Sequence, residues 1–123
     1  MELTNGEGFD VVFDSVGQTT MAGSFGCLKK HGTLISFGQS SGVYTDLKIG
    51  DLQAGSFFLS RPTLFHFTPI PGWLDNATAI LFKMIKENKI DIQYNNTYDL
   101  ENLGQAHDEI ENRRTTGSVI LKV

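Results

Sequence analysis

The apolar and polar positions of this chain fall into short blocks. Val11, Val12 and Phe13 form an apolar run that stops at Asp14-Ser15-Val16-Gly17. A continuous run of that length predicts a strand covered on both faces, as in a parallel sheet. Over residues 19–30, Met21, Phe25 and Leu28 recur at spacings of four and three, which is one face of a helix. Lys29, Lys30 and His31 suit the negative end of that helix, and Gly32 suits its terminus, because glycine takes positive φ without a Cβ clash. Residues 33–37 predict a second strand, ended by Gly38. Strand, helix and strand make a βαβ crossover, normally right-handed. In such sheets ligands sit beyond the carboxyl ends of the strands. Those ends, residues 14–17 and 38–42, are small, polar and rich in glycine.

Residues 43–55 alternate weakly and predict a loop with one helical turn. The segment SFFLSRPTLFHF, residues 56–67, is the most aromatic, and Phe57, Phe58 and Leu59 predict a third strand. Pro62 has no N–H to donate, so it ends the pairing or places the strand at an edge. An edge this apolar needs a cover or a partner chain. An ordinary core strand and a dimer contact fit it equally well. Residues 73–88 predict a helix with Leu74, Ala77, Leu81, Met84 and Ile85 on one face, and with Lys83, Lys86 and Lys89 toward its end. Ile90, Ile92 and Tyr94 alternate with polar residues, so residues 90–98 predict a half-exposed strand. Asp99 is a suitable N-cap for a helix over 100–113, carrying Leu103, Ala106 and Ile110, and a last strand follows over 118–123. The class is α/β. The alternating strand in the second half and the continuous one in the first predict two packing environments.

The chain has 123 residues, 40% of them hydrophobic and 20% charged, with a net charge of −4. That balance disfavours nucleic acid and anionic membrane as partners, since both call for a basic footprint. No apolar run approaches the roughly 18 residues that span a bilayer, and the first ten residues do not read as a signal peptide. A single cysteine, Cys27, forms no internal disulfide and points to a reducing cytoplasm. At mid-helix, Cys27 is expected to be a small buried apolar residue.

Little in the chain reads as catalytic. His31, His66 and His107 are scattered without metal-ligand spacing. No nucleophile elbow, phosphate-binding P-loop or zinc-protease motif occurs. Asp14, at a strand end, suits a base or ligand anchor, and equally a side chain that closes its own turn. What remains is a binding surface of strand ends, where Gly17, Gly38 and Gly42 allow close approach and Gln39, Ser40 and Ser41 offer neutral donors.

The segments FDVVFDSVG, CLKKHGTLISFGQSSG, GSFFLSRPTLF and ENRRTTGSVILKV, in this order and spacing, resemble the quinone oxidoreductase (zeta-crystallin-like) branch of the medium-chain dehydrogenase/reductase superfamily. The resemblance implies an NADPH-dependent oxidoreductase without zinc, acting on a small-molecule quinone or enone. It implies the carboxyl-terminal part of such a protein: residues 1–67 as the C-terminal half of a Rossmann parallel sheet, and residues 68–123 as an αβαβ segment of a GroES-like catalytic domain. By position, Ser15, Val16, Gly17 and Gln18 would lie beside the cofactor. Phe37, Gly38, Gln39, Ser40 and Ser41 would border its nicotinamide and ribose, Ser60 and Arg61 would flank the nicotinamide end, and Arg113 would approach the adenosine phosphate. A homodimer through residues 56–67 is implied too. The glycine-rich first turn that receives the pyrophosphate is not among these residues, so the chain alone is expected to be inactive, with no catalytic acid, base or nucleophile of its own. Two other readings fit the pattern: a non-catalytic dimerising module from a truncated gene, and a class I methyltransferase, whose fourth and fifth strands also read D-V-V-F-D and L-K-K-H-G-T-L.

Overall fold

The computed structural model of the chain describes residues 2–94 and 96–123. They form two compact units, residues 2–70 and 71–123.

The first unit is a three-stranded parallel sheet in the order β1-β2-β3, with β1 at Phe9–Asp14, β2 at Leu28–Ser36 and β3 at Phe58–Ser60. Val12 lies opposite Leu34, and Leu34 opposite Leu59, so the expected crossover and third strand are both present. The helix between β1 and β2 is shorter than its pattern predicts. Helix α1 covers only Met21–Gly26, and β2 already begins at Leu28. Leu28, Lys29, Lys30 and His31 therefore belong to the strand, and Gly32 sits inside it instead of capping a helix. The misleading signal has a physical origin. Met21 and Leu28 both enter the core, the first from α1 and the second from β2. Their sequence spacing mimics one helix face although two elements supply them.

The pairing slips between Phe9–Leu28 and Val11–Thr33, and His31 takes φ 63° in that irregular stretch, where its amide donates to the Gly55 carbonyl at 2.7 Å. Cys27 closes α1 as its C-terminal cap residue and is exposed, not buried in mid-helix as expected.

Core packing is one-sided. Leu34 is fully buried beside Met21 and Leu28, with Val12, Phe25, Tyr44 and Phe57 packed around them. Side chains alternate across a strand, so Phe13, next to Val12, faces the other way and is 68% exposed. The expectation of a β1 covered on both faces is thus corrected: α1 and the segment through Tyr44 and Phe57 cover one face only. Residues 43–55 are a loop ending in a 3-10 turn at Ile49–Ala54, as expected. Pairing on β3 stops at Ser60, two residues before Pro62.

The second unit holds α2 at Trp73–Lys86, β4 at Asn96–Asp99, α3 at Leu103–Glu111 and β5 at Val119–Lys122. Strands β4 and β5 pair in parallel. The alternating pattern over 90–98 overstates β4, which begins at Asn96, while Tyr94 makes an isolated antiparallel bridge to Gly117. Residue 95 of that expected strand, like residue 1, lies outside the described residues. Asp99 precedes a 3-10 turn at Leu100–Asn102 and makes no side-chain cap bond; Asn102 is the residue that leads into α3. Ala106 of α3 is buried.

Candidate functional site

The carboxyl ends of β1 and β2 lie side by side, as parallel neighbours must, and the turns that follow them are laced together. The Phe37 amide donates to the Asp14 carbonyl at 2.9 Å, the Ser41 amide to the Val16 carbonyl at 2.9 Å, and the Gln18 amide to the Gly42 carbonyl at 3.1 Å. The Ser41 hydroxyl donates to the Val16 carbonyl at 2.7 Å and accepts from the Thr19 amide at 3.1 Å.

Glycine here serves the joint between the turns. A Cβ on Gly38 would run into the Ser15 backbone, with its Cα at 2.8 Å. On Gly17 it would meet the Gly42 carbonyl oxygen at 2.7 Å, and on Gly42, already at φ 115°, the Gln18 side chain at 2.6 Å. The expectation that these three glycines admit a ligand is revised in that sense: they admit one another's backbones first.

Asp14 sits at the root of the first turn and is 3% exposed. Its Oδ1 accepts from the Val16 and Gly17 amides at 2.8 and 2.9 Å, and its Oδ2 from Thr20 Oγ1 and Ser24 Oγ at 2.8 and 2.7 Å. Burial pushes the carboxyl pKa up. The Gly17 amide, the Ser24 and Thr20 hydroxyls and the Val16 amide outweigh it and hold the pKa at about 2. A carboxylate this acidic and this fully engaged is no base. Of the two roles open to Asp14, closing the turn is the one it performs.

Arg61, just past β3, reaches across to the second turn. Its Nη1 donates to the carbonyls of Ser36 at 2.9 Å and Gly38 at 3.3 Å, and its Nη2 to Gln39 Oε1 at 3.1 Å. Between these groups lies a cavity of about 140 Å³ lined by Gly17, Ser36, Gly38, Gln39 and Arg61, with an apolar wall that includes Tyr44. A volume well below the roughly 300 Å³ of ordinary small-ligand pockets suits one flat ring, not a whole dinucleotide.

The structure thus gathers Gly17, Gly38, Gln39 and Arg61 at one cavity, and brings Ser15, Val16, Gln18, Phe37, Ser40 and Ser41 onto the two turns beside it. Ser60 ends β3 next to Arg61. Arg113 belongs to the second unit, at φ 57° after α3. Tyr44, Leu47 and Leu59 also line the cavity and were missed as site residues. Weak alternation in 43–55 held the only signal for Tyr44 and Leu47, and Leu59 read only as a strand residue. Among the described residues no group of three His, Cys, Asp or Glu side chains gathers as a metal site.

Known proteins resemble this chain in sequence and in fold. A curated quinone oxidoreductase of Pseudomonas aeruginosa is 40% identical over 122 residues, covering 98% of this chain and 38% of the relative. A 2-haloacrylate reductase of a Burkholderia species is 34% identical, covering 98% and 37%. The crystal structure of Escherichia coli quinone oxidoreductase complexed with NADPH superposes with a TM-score of 0.87 at 36% identity, covering 99% of this chain and 38% of that one. The parallel sheet matches the Rossmann-like half of such structures. The chain therefore spans a little over a third of the length of the relatives it matches. The family model described as zinc-binding dehydrogenase matches residues 1–121, and this chain belongs to that family.

Proposed function

We propose that this chain supplies the nicotinamide side of an NADPH-binding cleft in a quinone oxidoreductase. The observation that carries the reading is the cavity at the carboxyl ends of β1 and β2, walled by the two interlocked turns and Arg61. This is where open parallel sheets hold nucleotides. The names of the relatives support the reaction class, and the NADPH complex of the E. coli protein supports the cofactor. The cofactor, when bound, supplies the hydride for reduction of a quinone or enone. This chain's own residues hold and orient the ring: Gly17 and Gly38 by backbone, Gln39 by its amide, Tyr44 and Leu47 by apolar contact. Ser15, Val16, Gln18, Phe37, Ser40, Ser41 and Ser60 border the cofactor, and Arg113 takes its adenosine phosphate. The family's description names zinc, but among the described residues no three His, Cys, Asp or Glu side chains gather to hold it.

We infer that residues 1–67 are the cofactor domain's part and residues 68–123 the return to the catalytic domain. We infer a cytoplasmic location from the lone cysteine, a homodimer through residues 56–67, and no turnover by these residues alone. Titration of the isotopically labelled chain with NADPH tests the reading, with S-adenosylmethionine as control. NADPH is expected to shift the amide signals of residues 15–18 and 37–41, and to remain unoxidised when a quinone is added. Shifts caused by S-adenosylmethionine alone would overturn the assignment.

A further inference from the structure

We propose that the chain carries a second small-molecule site, in the cavity between α1 and residues 43–57, and that this site takes an aromatic monocation. The inference goes beyond the cofactor reading and does not depend on it. Of the residues that line this cavity, Tyr44 and Leu47 alone also line the one at the strand ends.

The cavity follows from how the core is covered. Helix α1 ends at Gly26, and the segment that returns past it is a loop with one 3-10 turn. Between them lies a volume of about 360 Å³ lined by Phe25, Leu28, Tyr44, Leu47 and Phe57. Gly26 borders open space there, since a Cβ on it would meet nothing within 4 Å. The volume falls in the roughly 300–1,000 Å³ range of small-ligand sites, which the strand-end cavity does not reach. Phe25 and Phe57 stand with ring centroids 6.0 Å apart and their planes tilted by 36°. Such a pair offers ring faces and edges to a third ring. Phe25, Tyr44 and Phe57 are half-buried, so an inserted ring removes further apolar surface from water.

Charge selects among the flat apolar ligands that would fit. Among the described residues lining the cavity, Asp51 is the only charged one. Its Oδ2 accepts from the Lys48 amide at 2.8 Å, which ties the carboxylate to the 3-10 turn. An ammonium group beside this carboxylate is attracted by it and by the aromatic faces together, whereas an anion is repelled. Asp51 is exposed, so its pull is modest and sets preference more than affinity. The matching class is a two-ring aromatic ammonium, with rings to fill the volume and one positive charge toward Asp51.

The test titrates the isotopically labelled chain with naphthylmethylamine, protonated at neutral pH, and with naphthylmethanol, its neutral counterpart of the same shape. Both are expected to shift the amide signals of Ala22, Gly26 and Ala54, which line the cavity, and to saturate. The amine should bind about fivefold more tightly or better. Asp51→Asn keeps an oxygen for the Lys48 amide and removes the charge. It should lower the amine to the affinity of the alcohol and leave the alcohol unchanged. Ala22→Phe fills the cavity and should abolish binding of both; D51N decides alone should A22F misfold. Equal affinities of the two probes for the parent chain, or an amine preference that survives in D51N, would overturn the proposal. So would the absence of saturable shifts, or shifts that persist in a folded A22F. If the amine moves Gly17 and Gly38 in place of Ala22 and Gly26, it has entered the strand-end cavity: this inference fails and the cofactor reading is untouched. If NADPH leaves residues 15–18 and 37–41 unmoved while the amine binds as expected, the cofactor reading fails and the second site stands.

Discussion

Replacing Asp14 with asparagine isolates the charge that organises the first turn. The aspartate receives the Val16 and Gly17 amides and the Thr20 and Ser24 hydroxyls while 3% exposed. Its pKa falls from 3.8 to about 2. At about 1.4 kcal/mol per pH unit, that lowering is worth ~2 kcal/mol to the folded state at neutral pH. Because the folded value lies below the unfolded one, the contribution is complete above 3.8 and disappears as pH falls through about 2. Asparagine keeps the shape and one oxygen for the two amides, and its hydroxyl neighbours can rotate to accept from the new NH₂. What D14N removes is the charge. The two proteins should thus differ by ~2 kcal/mol at about pH 7, converging on acidification below about pH 4. Urea unfolding followed by the methyl signals of Leu34, which is fully buried in the first unit, reports that unit's own transition. Comparing the two proteins at each pH cancels the titration of every other group. A difference that stays flat as the pH is lowered would refute the argument, as would equal stability at neutral pH.

Three further substitutions probe separate features. Gly38→Ala forces a Cβ into the Ser15 backbone and should cost about 1–3 kcal/mol in the same urea experiment. Gly104→Ala, in the first turn of α3 with open space around it, should instead stabilise the second unit by about 0.5 kcal/mol; Trp73 fluorescence during unfolding would read this out. Phe58→Lys places a charge on the edge strand where the phenylalanine is 61% exposed, and sedimentation should show a homodimer dissociating to monomer; unchanged assembly would exclude β3 as the contact.

Hydrophobic periodicity was enough to reveal the order of elements. Val11–Val12–Phe13, residues 33–37 and Phe57–Phe58–Leu59 each mark a strand because a short apolar run rich in β-branched and aromatic residues and bounded by turn residues is a local signal. The punctuation by Gly38 and Pro62 was equally legible, since those residues act through their own backbone chemistry. Family membership was legible for a related reason: the turns carry particular residues at fixed spacing. Other features lay beyond any local pattern. Leu28 joins Met21 in one core from a different element, and only folding in three dimensions distinguishes that from a shared helix face. The same holds for the exposure of Phe13, which depends on what covers the sheet. The roles of Gly17, Gly38 and Gly42 depend on a second turn about 25 residues along the chain coming within contact. The orientation of the Gln39 amide needs Arg61, 22 residues away, and bonds formed through space across strands. Sequence alone determined which segments pair and which turns meet at the strand ends. The tertiary structure decided what those turns do when they meet, because hydrogen bonds and steric contacts between distant residues exist only once the strands lie side by side.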